Sequence, residues 1–139
     1  MAMDFDGVKV AILVDDKLLM HLRDNKPGLF NANVWDFPGG GREGKENPQE
    51  CAIREVKEEF GIDLSPQSFL WEKIYPAQKD PSRKAIFMVA KIPRTDIENI
   101  ILTEGQRWDL FSHETFFEKE DAVEALKGRF KDYLEAQCI

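Results

Sequence analysis

Residues 39–62 read GGGREGKENPQECAIREVKEEFGI, a glycine run followed by a helix whose start, faces and end are written in its side chains. Asn47 can cap that helix. Pro48 suits its first position, where a missing N–H costs nothing, and Glu50 completes a capping box. Gly61 supplies a stop just past Phe60. On a helical wheel Glu55, Glu58 and Glu59 fall within an arc of roughly 100°, and Ile53, Val56 and Phe60 form an apolar stripe on the adjoining side. The expected helix therefore packs by one face and presents three carboxylates on another. Like charges at this spacing repel by a few tenths of a kcal/mol per pair. A hard divalent cation, which prefers carboxylate oxygens, would reverse that sign. Taken alone, the glutamates read as a solvated charged face in which Arg54 pairs with Glu58. The preceding Gly39-Gly40-Gly41, read as a loop, shifts the balance. Backbone there can approach a ligand closely, and its carbonyls can share an ion with the helix carboxylates.

Outward from this stretch the chain alternates strands and turns. Val8–Val14 is rich in β-branched residues and reads as a strand, Asp15–Lys17 as a turn, and Leu18–Met20 as the start of the return strand. Asp24–Asn33, with Pro27 and Gly28, reads as a loop, and Val34–Phe37 as a short strand. Phe69–Tyr75 and Ala85–Ile92 read as strands around the polar loop Gln78–Lys84, and Trp108–Phe111 as another. From about Asp121 to Glu135, Val123, Leu126, Phe130 and Leu134 recur at helical spacing and give a last helix one apolar face. Strands on both sides of a central helix, with a helix closing the chain, predict an α/β sandwich with a mixed sheet between helices. No linker or repeat divides residues 1–139, so one domain is expected.

Composition narrows the function classes. The 139 residues are 42% hydrophobic and 32% charged, with a net charge of -7. That is the balance of a globular chain, and an acidic surface does not attract a nucleic-acid backbone broadly. A local basic pocket could still hold a phosphate. Cys51 and Cys138 make neither a disulfide framework nor a zinc site and read as reduced packing thiols. The N-terminus is acidic where a signal peptide would be basic, and no apolar run approaches the roughly 20 residues needed to span a bilayer. A cytoplasmic protein with no membrane partner is expected. His21 and His113 have no evident partner and read as non-catalytic.

The residues then match a known family. Gly40, Glu46 and the run Arg54-Glu55-Val56-Lys57-Glu58-Glu59-Phe60-Gly61-Ile62 resemble a complete Nudix box, with every fixed position filled. Trp35-Asp36-Phe37-Pro38-Gly39-Gly40 is similar to the family's approach to the box, Leu18–Arg23 to the strand before it, and Glu104-Gly105-Gln106 to a later loop of MutT-like members. The resemblance implies an α/β/α sandwich and hydrolysis of a nucleoside diphosphate linked to another group. It makes Glu55, Glu58 and Glu59 ligands of Mg2+, or of Mn2+ in its place, with the Gly39 carbonyl as a backbone ligand. Arg54 becomes an orienting residue and Glu46 its support at the loop–helix junction. Arg23 becomes a substrate contact, against its plainer reading as a solvated arginine. Phe37 becomes a nucleotide-pocket residue, against its plainer reading as core. Glu104 becomes a further ligand or the general base. The leading expectation is a nucleoside triphosphate pyrophosphohydrolase acting on a small nucleotide, an oxidised purine such as 8-oxo-dGTP being one candidate. A sugar-nucleotide, ADP-ribose or dinucleoside polyphosphate hydrolase stays open, as does a nucleotide-sensing module, although the box glutamates are intact. A Nudix-fold isomerase would need features that this chain does not display.

Overall fold

The structure is a computed structural model that describes residues 4–137; Cys138, one of the two expected thiols, lies outside them. Strands β1 (Gly7–Val14) and β2 (Lys17–Leu22) form a hairpin, followed by the short strands β3 (Trp35–Asp36) and β4 (Gly39–Gly41). Helix α1 (Pro48–Phe60) leads through a 3-10 turn to β5 (Phe69–Pro76) and β6 (Lys84–Ile92). A second 3-10 turn, Arg94–Asn99, precedes β7 (Arg107–Ser112), α2 (His113–Glu118) and α3 (Glu124–Gln137).

The seven strands make one sheet in the order β3-β2-β1-β6-β5, with β4 also pairing β1 and β7 also pairing β2. Only β1 and β6 run parallel, so the sheet is mixed. Alternation along β1 and β6 decides which layer covers which face. Val8, Val10, Ile12, Ile86, Met88 and Ala90 point to Cys51, Ala52, Val56 and Phe60 of α1. Ala11, Phe87 and Val89 point the other way, to Phe116 of α2 and to Leu126, Phe130 and Tyr133 of α3. The result is the expected α/β/α sandwich. Burial of side chains such as Val56 and Phe60 contributes roughly 1.5–3 kcal/mol each to holding α1 down.

Three expectations need correction. Gly39–Gly41 is not a loop: it pairs antiparallel with Gly7–Lys9 as a strand. Glycine has little preference for strands, and this pairing is imposed by the neighbouring β1. The last helix begins at Glu124 rather than near Asp121 and reaches Gln137, while the one-and-a-half-turn α2 was not anticipated. Among the described residues no helix is long and apolar enough to cross a membrane.

Candidate active site

The capping expected for α1 is present: the Asn47 side chain accepts from Glu50 N, the Glu50 side chain accepts from Asn47 N, and Gly61 ends the helix in the left-handed region. These contacts fix where α1 starts and thus where its carboxylates stand. The pairing of β4 with β1 brings Gly39 and Gly40 against the same side of α1. A side chain on Gly40 would meet the Glu55 carboxylate, whose carbon lies 2.4 Å from an ideal Cβ position. Glycine there lets a carboxylate pack directly on the backbone.

The three glutamates differ in environment, which a wheel does not show. Glu58 is the most open, Glu55 is half-buried, and Glu59 is only 5% exposed. Glu59 Oε1 accepts from Gly39 N at 2.8 Å. Burial pushes the Glu59 carboxyl up to about 8, partly offset by that hydrogen bond and by Lys9, while the charges of Glu55 and Glu104 push it further up. Glu55 is raised as well, first by burial, with Arg54 opposing and Glu58 and Glu104 adding. Both carboxyls are thus raised first by burial, with the neighbouring carboxylates adding to the shift.

Arg54 takes up part of that charge. Its Nε and one terminal nitrogen donate to the two oxygens of Glu46 at 2.7 and 2.9 Å. It also reaches the Gly41 carbonyl at 2.8 Å, Glu55 at 2.8 Å and Glu58 at 3.1 Å. The paired donors hold the Glu46 carboxyl below its ordinary range, and the carboxylates raise the guanidinium. Glu46 itself accepts from Glu43 N at 2.8 Å, which closes the loop between β4 and α1.

Glu104 is carried to this side of the molecule by its neighbours. Thr103 donates through N to the Glu59 carbonyl at 3.0 Å and through Oγ1 to the Glu58 carbonyl at 2.6 Å. Gln106 N donates to the Leu22 carbonyl at 2.8 Å. The loop therefore spans from the end of α1 to the end of β2, and it satisfies carbonyls that a helix end leaves open. Glu104 lines a small cavity of about 80 Å³ with His21, Arg23 and Asp24.

Arg23 is neither free nor simply solvated: it donates to the carbonyls of Phe30 and Asn31 and approaches Asp36 at 3.3 Å. Phe37 has no exposed surface. It sits among Phe87, Phe116 and Phe130, so its side chain, as placed, is core rather than pocket wall. Two buried polar residues, Asp36 and Arg129, were not singled out by the sequence, and His21 is buried as well. Asp36, 1% exposed, accepts from Lys9 at 2.7 Å. Arg129 is buried on α3. His21 has no hydrogen-bond partner on either ring nitrogen. Burial lowers His21 to about 4, so its 3.9 Å approach to Glu59 is not an ion pair at neutral pH. A charged residue between Trp35 and Phe37 was the available signal for Asp36; nothing in the α3 pattern marked Arg129.

Hard oxygen donors on one helix beside a backbone carbonyl are what a divalent cation of the Mg2+ type takes. As placed, no group of three such side chains is gathered closely enough to hold an ion among the described residues. Glu55 and Glu58 are turned to Arg54 instead. The donor chemistry fits a cation; binding would require Glu55 and Glu58 to swing from the arginine.

Comparison with known proteins gives a consistent result. The NUDIX domain family model matches residues 4–134. An RNA pyrophosphohydrolase of Haemophilus ducreyi is 28% identical over 114 residues, covering 77% of this chain and 51% of that protein. The chain spans about half or less of the length of the curated relatives it matches. The MutT protein of Methanosarcina mazei Go1 superposes with a TM-score of 0.76 at 21% identity, over 99% of this chain and 98% of that one. A bifunctional NMN adenylyltransferase/ADP ribose pyrophosphatase of Francisella tularensis, solved with AMP and a Mn ion, gives 0.70 at 20% identity, over 100% of this chain and 43% of that one.

Proposed function

The chain belongs to the NUDIX domain family, and from that premise we propose that it is a cytoplasmic pyrophosphohydrolase that cuts a diphosphate linkage in a nucleotide with the help of Mg2+ or Mn2+. One observation carries the reading. Glu55, Glu58 and Glu59 project from one helix, Arg54 pairs with the first two, and Glu59 lies against Gly39 N beside a glycine strand that packs directly on Glu55. The Mn ion and AMP of the Francisella neighbour and the activity named for the Haemophilus relative agree with it. A nucleoside triphosphate is the favoured substrate.

A diphosphate resists attack because its oxygens repel nucleophiles. When bound, a divalent ion would supply charge to offset those oxygens and to activate water. Glu55, Glu58, Glu59 and the Gly39 carbonyl would hold it. Arg54 orients the carboxylates through its planar fork, which Glu46 anchors from behind. Glu104, which is not among the carboxylates of the α1 face, is the group available to orient water or accept its proton. Arg23 holds the loop that walls the substrate cavity. A serine or cysteine nucleophile is not needed.

The test is incubation of the protein and Mg2+ with a panel of nucleoside triphosphates, 8-oxo-dGTP, sugar nucleotides, ADP-ribose and dinucleoside polyphosphates, with products identified. Release of a nucleoside monophosphate and pyrophosphate from a triphosphate is expected. Turnover of none, with retained nucleotide binding, would make the chain a sensor.

A further inference from the structure

A cavity of about 440 Å³ adjoins the carboxylate face, with Gly40 and Gly41 in its wall. Its charge is opposite to that of the chain. Lys9, Arg23, Lys79 and Arg129 line it against a single carboxylate, Asp6, which is paired with Arg83. Behind the wall, Asp36 engages Lys9 and Arg23. Lys79 and Arg129 have no carboxylate partner among the described residues; Lys79 lies over the Phe30 ring at 5.3 Å.

Arg129 is the more telling of the two. It is only 8% exposed, its one protein hydrogen bond goes to the Pro76 carbonyl at 2.7 Å, and its guanidinium lies 4.8 Å from the centre of the Tyr75 ring. Burial opposes its charge. Tying α3 to Pro76 needs only a neutral donor, whereas a partly desolvated cation gains from an anion. A guanidinium has five donors, and among the described residues only the Pro76 carbonyl accepts from this one. The chain has a net charge of -7, yet this cavity is lined by four cations and one carboxylate.

We propose that this cavity receives a phosphate group that the substrate carries in addition to its scissile diphosphate, held by Arg129 and Lys79. The proposal rests on the nucleotide hydrolase reading: Gly40 packs on Glu55 and also forms the cavity wall, so a nucleoside attached to a diphosphate at the α1 carboxylates would extend past it into the cavity. Nucleosides are uncharged, so the nucleoside alone leaves both cations unanswered. A phosphate on its far side, at the 3′ position, answers them. That group is either a terminal 3′-phosphate or the internucleotide phosphate of an oligonucleotide end; the shared chemistry is a nucleotide phosphorylated on both sides of its sugar.

The test is calorimetric binding to the Mg2+-loaded protein of adenosine 5′-monophosphate and adenosine 3′,5′-bisphosphate, repeated with the guanosine pair. Neither ligand has a diphosphate bond, so binding is read without turnover. The bisphosphate should bind at least about tenfold more tightly, a ratio that corresponds to roughly 1.4 kcal/mol. Lys79→Ala, at an exposed position, and Arg129→Gln should each bring the ratio toward one, and Arg129→Lys should keep most of it. Should Arg129→Gln fail to fold, Lys79→Ala still decides. A 5′-phosphorylated dinucleotide separates the sources: retained preference assigns the phosphodiester of an oligonucleotide, lost preference a terminal 3′-phosphate. A wild-type ratio near one, or a ratio unmoved by Lys79→Ala, overturns the inference. If diphosphates are still hydrolysed in that case, the hydrolase reading stands; binding of neither ligand pair overturns the inference, and the hydrolase reading falls only if the diphosphate panel is not turned over either.

Discussion

At Glu59 a carboxyl is kept almost out of water by its own fold, with one backbone N–H and no cation in hydrogen-bond contact, and burial pushes it up to about 8. Near neutral pH such a group is mostly protonated in the empty protein and must ionise to hold a divalent ion. Glu59→Gln keeps the acceptor for Gly39 N and replaces the neutral acid by a neutral amide. In chelator the variant should melt at or above the wild-type temperature, and adding Mg2+ should raise its Tm less than it raises that of the wild type. A clearly lower Tm in chelator would make Glu59 structural. Both Glu58→Gln and Glu59→Gln should lose at least about 100-fold in turnover, or roughly 3 kcal/mol of transition-state stabilisation. Near-normal turnover of both at limiting Mg2+ would remove them from the ion. Arg54 poses a different question, because its contacts to Glu46, Gly41, Glu55 and Glu58 depend on a planar fork. Arg54→Lys keeps the charge and loses the fork. Activity should fall more than stability does; parallel losses of kcat and Tm, with residual rate tracking folded fraction, would mean the arginine only braces the loop.

The helix α1 and strand β4 act as one element, and they separate stability from chemistry. Asn47→Ala removes a cap about two turns before Glu55 and should cost about 1 kcal/mol, a few degrees in Tm, with kcat falling less than in Gly40→Ala because Val56 and Phe60 still hold the later turns against the sheet. Gly40→Ala should do the reverse. Its new Cβ would collide with the carboxylate of Glu55, the movable end of a flexible side chain, so the fold can adjust while Glu55 is displaced. A loss of at least about tenfold in turnover is expected, about 1.4 kcal/mol, and thermal scans should show a smaller change than for Asn47→Ala. The opposite ranking would show that β4 is needed for folding rather than for placing Glu55. This pair of elements also shows what the sequence made legible. Caps, stop and apolar stripe of α1 are local signals, and each was readable from Asn47, Glu50, Gly61 and the Val56–Phe60 side. Whether the glycines form a loop or a strand depends on β1, which lies more than two dozen residues earlier and which no local pattern contains. The burial of Glu59 was hidden for the same reason: a wheel orders side chains around an axis and says nothing about what lies opposite.

On the scale of the whole molecule, the segment after the second 3-10 turn links parts of the chain that sequence distance separates. Ile101 and Thr103 donate to carbonyls at the end of α1, Gln106 N donates to the end of β2, and the Gln106 side chain reaches Asn33. Glu104 is held between these anchors, close enough that its charge raises both Glu55 and Glu59. Only the likeness of Glu104-Gly105-Gln106 to a family loop drew attention to it; composition and periodicity did not, because the anchors are tertiary hydrogen bonds. Attacking water must be oriented and deprotonated, and carboxylates that bind a metal are poor bases. Glu104→Gln should therefore lower the maximal rate strongly with little change in substrate binding. Thr103→Val tests the anchoring separately. It removes the hydroxyl bond to Glu58 O while leaving the Glu104 carboxylate, so its rate should fall less than that of Glu104→Gln. Single-turnover rates at saturating Mg2+ and substrate decide the matter, since product release cannot mask chemistry there. An unchanged rate in Glu104→Gln would move the general base to the α1 face, with Glu55, the half-buried carboxylate nearest Gly40, the next group to examine.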